Sequence, residues 1–375
     1  MKTNYSLFDY KIAILTPELA DRCGICRAVS TLSFALNENQ SIFTNKFDSR
    51  SQSIKSGWKI TVATSRIHFL DLFSSLKTLF LLRKSFSGDE IIINTHSYTS
   101  HIIAASYKLL FNKKAKVLAL VYDMENLRVK SSLDLVFFLL FRVFIKLGGV
   151  DKILVLDESM KAMANSALGV TNINVLRLGI HPNLLTEQYL PMAYHNEFVL
   201  YFHGKMIPRR KLEIVLTAIG MIENDVEKSI HFVISGEIRN EHYFNYLRKK
   251  SQQLKSKVSF IGSITDDDLI KNYNNCDIFV WPCSPQTWGL APLEAMYFGK
   301  PVIVSLGSGV SEVLNDQVAI LVPPDSPDDF AKAILSLISN DELRTRLGIS
   351  ARALISEKYT FRNTGIEFKR IIEEV

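Results

Sequence analysis

The stretch from Trp281 to Leu314, WPCSPQTWGLAPLEAMYFGKPVIVSLGSGVSEVL, constrains the fold more than any other part of the chain. Its first loop is rich in Pro, Ser and Gly, and we predict a helix starting at Pro292, because proline is favoured at the first helical position. Gly299 is the expected C-terminal glycine, and residues 301–304 form a short apolar strand before a second glycine loop. This order predicts a parallel sheet, with helix N-termini that can bind an anion.

The same alternation of apolar strands and helices runs through the chain. We predict strands at residues 11–16, 60–63, 91–94, 116–121, 152–156, 198–202, 230–235, 258–262, 278–281, 302–305 and 319–322. With 375 residues and 47% hydrophobic content, the chain is large enough for two cores. These features predict an α/β protein with two doubly wound parallel sheets.

A loose pattern with two prolines between His181 and Glu197 predicts a linker between the two domains. We therefore expect an N-terminal Rossmann-like domain at 1–185 and a C-terminal ligand-binding Rossmann-like domain at 186–357. Residues 358–375 form a final helix, which we expect to pack back on the N-terminal domain.

Cysteine usage argues against a metal centre or a disulfide framework. The four cysteines form one close pair and one pair seven residues apart, with no His at ligand spacing: Cys23, Cys26, Cys276 and Cys283. Asp266-Asp267-Asp268 follows Thr265 and opens a predicted helix, where the helix dipole favours acidic residues. We therefore expect no metal, and in the absence of a signal peptide we expect a cytoplasmic protein.

The basic residues are concentrated in the first half of the chain. Residues 1–190 carry 23 Lys and Arg against 15 Asp and Glu, net +8, and the remainder is net −2. Two helical stretches, 69–84 and 135–146, combine apolar bulk with basic residues, but the longest apolar run is far below the roughly 20 residues that span a bilayer. An anionic membrane surface and a plain core face therefore remain alternatives for these stretches, and no nucleic acid partner is expected.

Two strand ends carry candidate ligand residues. The strand at 198–202 leads into HGKMIPRRK, where Gly204 lets the backbone approach a ligand and nearby cations can hold a diphosphate, although an exposed basic loop is the alternative. His96 ends a buried strand, where either a ligand or a structural contact would suit it. Glu294 stands at about the third helical position, where a Glu often caps the helix, and Gln286 lies eight residues earlier.

Several of these residues belong to motifs that carry a resemblance to a known family. They are Gly204-Lys205, Arg210-Lys211, Gln286-x7-Glu294 with Gly289, Glu294-Ala295-Met296, Gly299-Lys300-Pro301-Val302-Ile303 and Gly309-Val310-Ser311-Glu312. Over these residues the chain resembles the C-terminal half of glycosyltransferase family 4, and the first half resembles that family more faintly. The segment LEAMYFGKPVI is the most specific part of the match.

The resemblance implies the GT-B fold, in which two Rossmann-like domains face each other across a cleft and the second holds a nucleotide-sugar donor. Catalysis in that family retains the anomeric configuration and needs neither metal nor cofactor. Lys205 and Arg210 match the two cations that neutralise the donor diphosphate, with Lys and Arg exchanged. Glu294 matches the residue that holds the ribose.

Other donor-binding positions are implied in the same way. Gly289 and Leu290 match a turn whose N–H groups face the phosphate, and Gly24 matches a glycine loop near the donor. Gly204 and the backbone at Gly262 complete the expected donor site, the latter beside the base.

Three positions depart from the family pattern. Gln286 replaces the first Glu of the E-x7-E motif, so an amide stands where a carboxylate would stabilise positive charge at the anomeric carbon. Tyr122-Asp123 stands where the family has His-Asp, and His181 replaces a common Asp. A different donor, a slower enzyme and a subunit that needs a partner are all open interpretations.

The resemblance and the residues together predict a peripheral, metal-independent hexosyltransferase-type enzyme. It would move a sugar from a nucleoside diphosphate sugar to a hydroxyl of a glycan or glycolipid, in bacterial-type surface polysaccharide or lipopolysaccharide synthesis. The acceptor is expected near His96 and Asp123. The alternatives are a non-catalytic GT-B subunit that positions a partner enzyme and a nucleotide-sugar epimerase; a dehydrogenase is disfavoured because the first glycine loop lacks G-x-G-x-x-G.

Overall fold

The computed structural model describes residues 11–19, 24–36, 40–47, 59–62, 71–122, 132–185, 197–286 and 288–375. The chain divides into two compact units. Unit 1 comprises Met1–His181 together with Phe361–Val375, and unit 2 comprises Pro182–Thr360. The sequence-based boundaries were placed a few residues away, after 185 and after 357.

Unit 1 contains a sheet of seven parallel strands. The strands are β1 Lys11–Leu19, β2 Gln40–Phe47, β3 Lys59–Val62, β4 Ile91–Thr95, β5 Lys116–Val121, β6 Lys152–Val155 and β7 Ile173–Val175. The helices between them are α1 Gly24–Leu36, α2 Asp71–Ser85, α3 Tyr98–Leu110, α4 Ser132–Lys146 and α5 Glu158–Leu168. The strand order β3-β2-β1-β4-β5-β6-β7 is that of a Rossmann-like sheet, with the order reversing between β1 and β4.

The central strands form the core of unit 1. All five residues of β4 and the last five of β5 are buried, which is why the sequence shows the apolar runs III and VLALV there. Ile12 of β1 lies opposite Ile92 of β4, so large aliphatic side chains meet across the middle of the sheet.

Strand β2 was missed by the sequence analysis. Its sequence, QSIFTNKF, contains five polar residues that break up the apolar run. It nevertheless pairs in parallel on both sides, with Ile42 opposite Ile14 of β1 and Ile60 of β3. The buried Nε2 of Gln40 donates to the carbonyl of Ser33 at 2.5 Å, so the amide nitrogen of this side chain is satisfied within the unit.

Unit 2 has a second parallel sheet of six strands. They are β8 Glu197–His203, β9 Ser229–Ser235, β10 Lys257–Gly262, β11 Ile278–Trp281, β12 Val302–Ser305 and β13 Ile320–Val322, in the order β10-β9-β8-β11-β12-β13. The helices are α6 Leu212–Ile222, α7 Glu241–Ser251, α8 Asp266–Asn275, α9 Leu290–Tyr297, α10 Pro327–Ser339 and α11 Asp341–Lys358. The order reverses between β8 and β11, where the ligands of such sheets bind.

The prediction that a helix starts at Pro292 is wrong. Helix α9 begins at Leu290, with Gly289 as its N-cap residue. Pro292 is the third residue of the helix, where its missing N–H is still among those that have no intrahelical partner. Glu294 is consequently the fifth residue of α9 and not the third.

The last helix, α12 Phe361–Glu373, is part of unit 1. Gly365 lets it approach α1, because a Cβ at this position would lie 2.9 Å from the carbonyl oxygen of Ala35. The hydroxyl of Thr364 accepts a hydrogen bond from the backbone N–H of Gly179 at 2.7 Å. These contacts join the end of the chain to the N-terminal sheet.

Candidate functional site

The candidate site of unit 2 lies where β8 and β11 end, at the point where the strand order reverses. Gly204 and Lys205 directly follow β8, and a short 3-10 turn at Pro208–Arg210 brings Arg210 after them. Trp281 is the last residue of β11. The sheet topology therefore brings together residues that are more than seventy positions apart in the sequence.

Close backbone contacts hold the strand ends of this site. The N–H of Gly204 donates to the carbonyl of Ser235 at 2.9 Å, and the N–H of Gly236 donates to the carbonyl of Gly262 at 2.7 Å. A Cβ at Gly236, where φ is +132°, would lie only 2.0 Å from the carbonyl oxygen of Gly204. Gly236 is thus required by the geometry, and the sequence analysis did not identify it.

Arg210 lies over an aromatic ring. Its guanidinium carbon is 5.0 Å from the centroid of the Trp281 ring, which is in the range of a cation–π contact. Trp281 in turn stacks on Phe202, with centroids 5.6 Å apart and planes 20° apart. The guanidinium nitrogens Nε and Nη1 are buried and have no hydrogen-bond partner among the described residues.

Trp281 also packs against the start of α9. A Cβ at Gly289 would lie 2.9 Å from Cζ2 and 3.2 Å from Nε1 of the indole, so only glycine fits there. Trp281 is 3% exposed, and its Nε1–H has no acceptor within the part of the chain that the structure describes. No motif in the sequence singles out Trp281, the last residue of the buried strand β11.

Together these groups form a place for an anion. Arg210 supplies a charged guanidinium, Trp281 a buried N–H donor, and Gly289 and Leu290 the N-terminal turn of α9, whose free N–H groups favour negative charge. The neighbouring cation Lys211 is not part of this group, because its Nζ forms an ion pair with Asp325 at 2.6 Å. Lys205 is half-buried beside Gly204.

Gln286 is fixed by the second glycine loop. It forms an isolated parallel bridge with Ser308, and its carbonyl accepts from the N–H of Gly309 at 2.7 Å. The residue is 7% exposed. The backbone of Gln286 is therefore held between the strand-end loops that follow β11 and β12.

Glu294 has a specific partner in the core. Its Oε2 accepts a hydrogen bond from the hydroxyl of Tyr273 at 2.7 Å, and Glu294 is only 2% exposed. Its position in the second turn of α9 is two residues beyond the position from which a Glu caps the N-terminus. The alternative of a helix cap is thus disfavoured, and Tyr273 orients this carboxylate.

The candidate residues of unit 1 lie at the ends of β4 and β5. His96 directly follows β4, and its Nδ1 shares a short hydrogen bond with the hydroxyl of Tyr122, which follows β5. The two rings stack with centroids 5.4 Å apart. Nε2 of His96 is buried and has no partner among the described residues. Burial lowers the pKa of His96 to about 3, and the nearby His101 makes a smaller contribution to this lowering. The ring of His96 is therefore neutral at pH 7.

Other candidate residues have simpler positions. Gly24 is the first residue of α1, and Asp123 lies outside the described residues. His181 is fully buried and meets the ring of Phe34 edge-on, at 5.1 Å between centroids. The acidic run after Thr265 opens α8, where the Thr265 hydroxyl accepts from the N–H of Asp268 at 3.2 Å.

The described residues contain no group of three or more His, Cys, Asp or Glu side chains arranged to hold a metal ion. Two of the cysteines are free and buried, and burial raises the pKa of Cys276 to about 12 and that of Cys283 to about 11. Both thiols therefore stay protonated at neutral pH, the form that does not bind metals.

Comparisons with known proteins find similar sequences and similar folds. Residues 192–354 match the family described as Glycosyl transferases group 1, so unit 2 contains a glycosyltransferase group 1 domain. An uncharacterized glycosyltransferase of Methanocaldococcus jannaschii is 28% identical over 52% of this chain and 52% of its own length. The serotype-specific mannosyltransferase WbdA of Escherichia coli is 31% identical over 45% of this chain. The chain spans about half of the first relative and 21% of the second.

Solved structures are similar over nearly the whole chain. HepE of Anabaena, in complex with UDP and glucose, matches with a TM-score of 0.79 at 15% identity, over 98% of this chain and 100% of that one. WaaG, a glycosyltransferase involved in lipopolysaccharide biosynthesis, matches with a TM-score of 0.71 at 13% identity, over 96% and 99%. At these identities the likeness defines the fold. The chain has the GT-B fold, with two Rossmann-like α/β units.

Proposed function

We propose that this chain is a retaining, metal-independent glycosyltransferase of family 4. It transfers a hexose from a nucleoside diphosphate sugar to a hydroxyl of a glycan or glycolipid acceptor. The reaction breaks the bond between the anomeric carbon and the diphosphate oxygen, and negative charge develops on the departing diphosphate. The enzyme's main task is to stabilise that charge.

One observation carries the proposal: buried N–H donors of Arg210 and Trp281 have no hydrogen-bond partner among the described residues and lie beside the N-terminus of α9. Buried donors without a partner are costly, so such a cluster is expected where a ligand provides the acceptor. A diphosphate has the charge and the acceptor oxygens to satisfy a guanidinium, an indole N–H and a helix N-terminus at once. Lys205 would add a second cation.

Other residues would bind the remainder of the donor. Glu294, oriented by Tyr273, would accept hydrogen bonds from the ribose hydroxyls. The backbone beside Gly262 would contact the base. Gln286 would hold hydroxyls of the donor sugar through its amide, although it lacks the charge of a carboxylate.

We place the acceptor site in unit 1, at the ends of β4 and β5. The neutral ring of His96 offers Nε2 to a hydroxyl, and its short bond to Tyr122 fixes the ring orientation. Asp123 and Gly24 complete the candidate set. Which nitrogen of His96 carries the proton depends on the direction of the bond to Tyr122.

The likeness to a mannosyltransferase in sequence, and to a lipopolysaccharide enzyme in fold, supports a role in bacterial-type surface polysaccharide or lipopolysaccharide synthesis. HepE was solved with UDP and glucose, which supports a nucleoside diphosphate sugar as the donor. We place the reaction in the cytoplasm, where such donors are made.

A second candidate function rests on Gln286. An amide in place of the first Glu of the motif also fits a non-catalytic subunit that binds a nucleotide and positions a partner enzyme. An epimerase, which would convert the donor without any acceptor, is the third. All three need the nucleotide site, and they differ in whether the sugar leaves the diphosphate and where it goes.

The phosphate role of Arg210 is tested by the change Arg210→Ala. We expect UDP affinity and donor turnover to fall by about a hundredfold or more, because a charged hydrogen-bonding group is lost from a buried site. Lys211→Ala removes a positive charge from the next position, but Lys211 forms an ion pair with the exposed Asp325. We therefore expect near-normal UDP binding in this variant. Equal effects of the two changes, or normal turnover of Arg210→Ala with an unchanged melting temperature, would refute the proposed site.

A further inference from the structure

Helix α4 carries a continuous stripe of exposed aliphatic side chains. The stripe consists of Leu135 (43% exposed), Val136 (50%), Leu139 (48%), Leu140 (41%), Val143 (50%) and Leu147 (61%), the last just beyond the helix. Their spacing of one, three and four residues places them along one side of the helix. We call this set the α4 stripe.

The opposite side of the same helix is also apolar. Phe138, Phe141, Phe144 and Ile145 pack into the core of unit 1. A helix that is apolar all round is normally either buried in a large core or embedded in a membrane. Helix α4 is buried on one side only, so its outer side lacks a cover within the described chain.

The length of α4 excludes a spanning role for it. The helix has 15 residues, and no helix among the described residues is long and apolar enough to cross a bilayer. A helix that cannot span but presents an apolar face can lie in the plane of the membrane interface, with that face buried among the lipid headgroups and the upper acyl chains.

Cations lie at the C-terminal ends of α4 and of the helices packed beside it. Helix α3 packs against α2 and α4. The C-terminal ends of α3 and α4 are close together, because a Cβ at Gly149, just after α4, would lie 3.2 Å from Leu109 near the end of α3. The α2 and α3 ends also meet, where Arg83 lies 4.8 Å from the ring centroid of the exposed Phe111. Four lysines at these helix ends form no ion pair with the described residues: Lys84, Lys113, Lys114 and Lys146.

The nearby acids cancel only part of this charge: the exposed Glu90 can offset one lysine, and two further acids are already paired with other lysines. Asp151 forms an ion pair with Lys108, and Asp89 pairs with Lys11 at 2.8 Å. The exposed lysines at the helix ends therefore outnumber the exposed acids there, and Lys146 is next to Leu147 of the stripe. Apolar and basic residues in this combination bind anionic lipid surfaces.

The composition of the stripe favours lipid over a protein partner. All six of its members are Leu or Val, which are under-represented among the residues that dominate protein interfaces, whereas Trp, Tyr and Arg are enriched there. We propose that the α4 stripe docks unit 1 on the surface of an anionic lipid bilayer, with the flanking lysines contacting lipid phosphates. This surface is separate from the nucleotide site of unit 2 and does not depend on the donor chemistry.

The test is co-sedimentation of the full chain with lipid vesicles at low and high salt. We expect binding to vesicles of phosphatidylcholine with phosphatidylglycerol, weaker binding to phosphatidylcholine alone, and release as the salt concentration rises. The double change Leu139→Gln and Val143→Gln should weaken vesicle binding by at least about tenfold, because two buried aliphatic side chains are lost from the contact. Lys146→Gln should weaken binding to the anionic vesicles only.

A matched control makes the same chemical change elsewhere. Met221→Gln with Ile349→Gln alters two exposed apolar residues of unit 2, which are 47% and 62% exposed, and should leave vesicle binding unchanged. UDP binding by all variants reports on folding and on the nucleotide site independently. The proposal is overturned if the wild type stays in the supernatant with both vesicle types, or if the α4 variant binds as well as the control. It is also overturned if the α4 changes instead convert a dimer into a monomer, since a second copy would then be the cover.

Discussion

The guanidinium carbon of Arg210 lies 5.0 Å from the ring centroid of Trp281, which is itself 3% exposed. The Trp281 ring thus restricts the side chain of Arg210, which makes the proposed phosphate contact. The indole N–H of Trp281 faces the start of α9 at Gly289. A preorganised cation loses less freedom when the ligand binds than a mobile one. We interpret the pair as one anion-binding unit.

Replacing Trp281 separates its two contributions. Trp281→Phe keeps an aromatic ring under Arg210 but removes the N–H, and we expect UDP to bind about tenfold more weakly, as for the loss of one hydrogen bond to a charged group. Trp281→Leu also removes the aromatic face and should cost a further factor of about three to ten. Calorimetric titration with UDP measures both. Identical affinities of wild type and Trp281→Phe would show that the indole N–H does not contact the diphosphate.

Gly236 is expected to be intolerant of any side chain. Gly236→Ala places a Cβ 2.0 Å from the carbonyl oxygen of Gly204, so the strand ends must separate. We expect a loss of about 3 kcal/mol or more in the free energy of unfolding, the upper end for overpacking. Gly262→Ala is the comparison, because a Cβ there meets nothing within 4 Å and only the left-handed φ of +67° is unfavourable, at about 1–2 kcal/mol. Denaturant titration measures both changes, and similar losses for the two would contradict the close contact.

His96 makes stability depend on pH. Its pKa is lowered to about 3 in the folded protein, whereas it is near 6.5 in the unfolded chain. Between these pH values His96 binds a proton in the unfolded chain but not in the folded protein. Its contribution to the free energy of unfolding is therefore fully present above pH 6.5 and is lost as the pH is lowered towards 3. Replacing His96 by Gln should flatten the dependence by up to about 1.4 kcal/mol per pH unit.

The clearest window for this measurement is pH 5 to 6.5, because most carboxylates remain ionised there. Denaturant unfolding of wild type and His96→Gln at several pH values in that range gives the difference directly. Parallel curves would mean that His96 titrates normally and is not buried as described.

The alternation of apolar runs predicted most of the strands because strands covered on both faces must be apolar throughout. Strand β2 was missed because five of its eight residues are polar. The sequence does not display its pairing with β1 and β3 or the hydrogen bond from Gln40 to Ser33. The start of α9 was misplaced because Pro292 is tolerated throughout the first turn, so proline alone does not fix the N-cap.

The candidate site was predicted unevenly. Motif spacing brought Arg210, Gln286, Gly289 and Glu294 to attention, but their roles remain proposals. Trp281 and Gly236 were not predicted because their importance comes from contacts between different strand ends. The ring of Trp281 lies under Arg210, and the carbonyl of Gly204 occupies the place that a side chain at Gly236 would need. Spacing along one segment carries no signal for such contacts.

The most direct test of the proposed reaction is incubation of the pure protein with a panel of nucleotide sugars, with and without a lipid extract as the source of acceptor. The proposal predicts release of nucleoside diphosphate that depends on the extract, with a product of retained anomeric configuration. Interconversion of the donor sugar without release would indicate an epimerase. Tight nucleotide binding without turnover under either condition would contradict the proposal and favour a non-catalytic subunit.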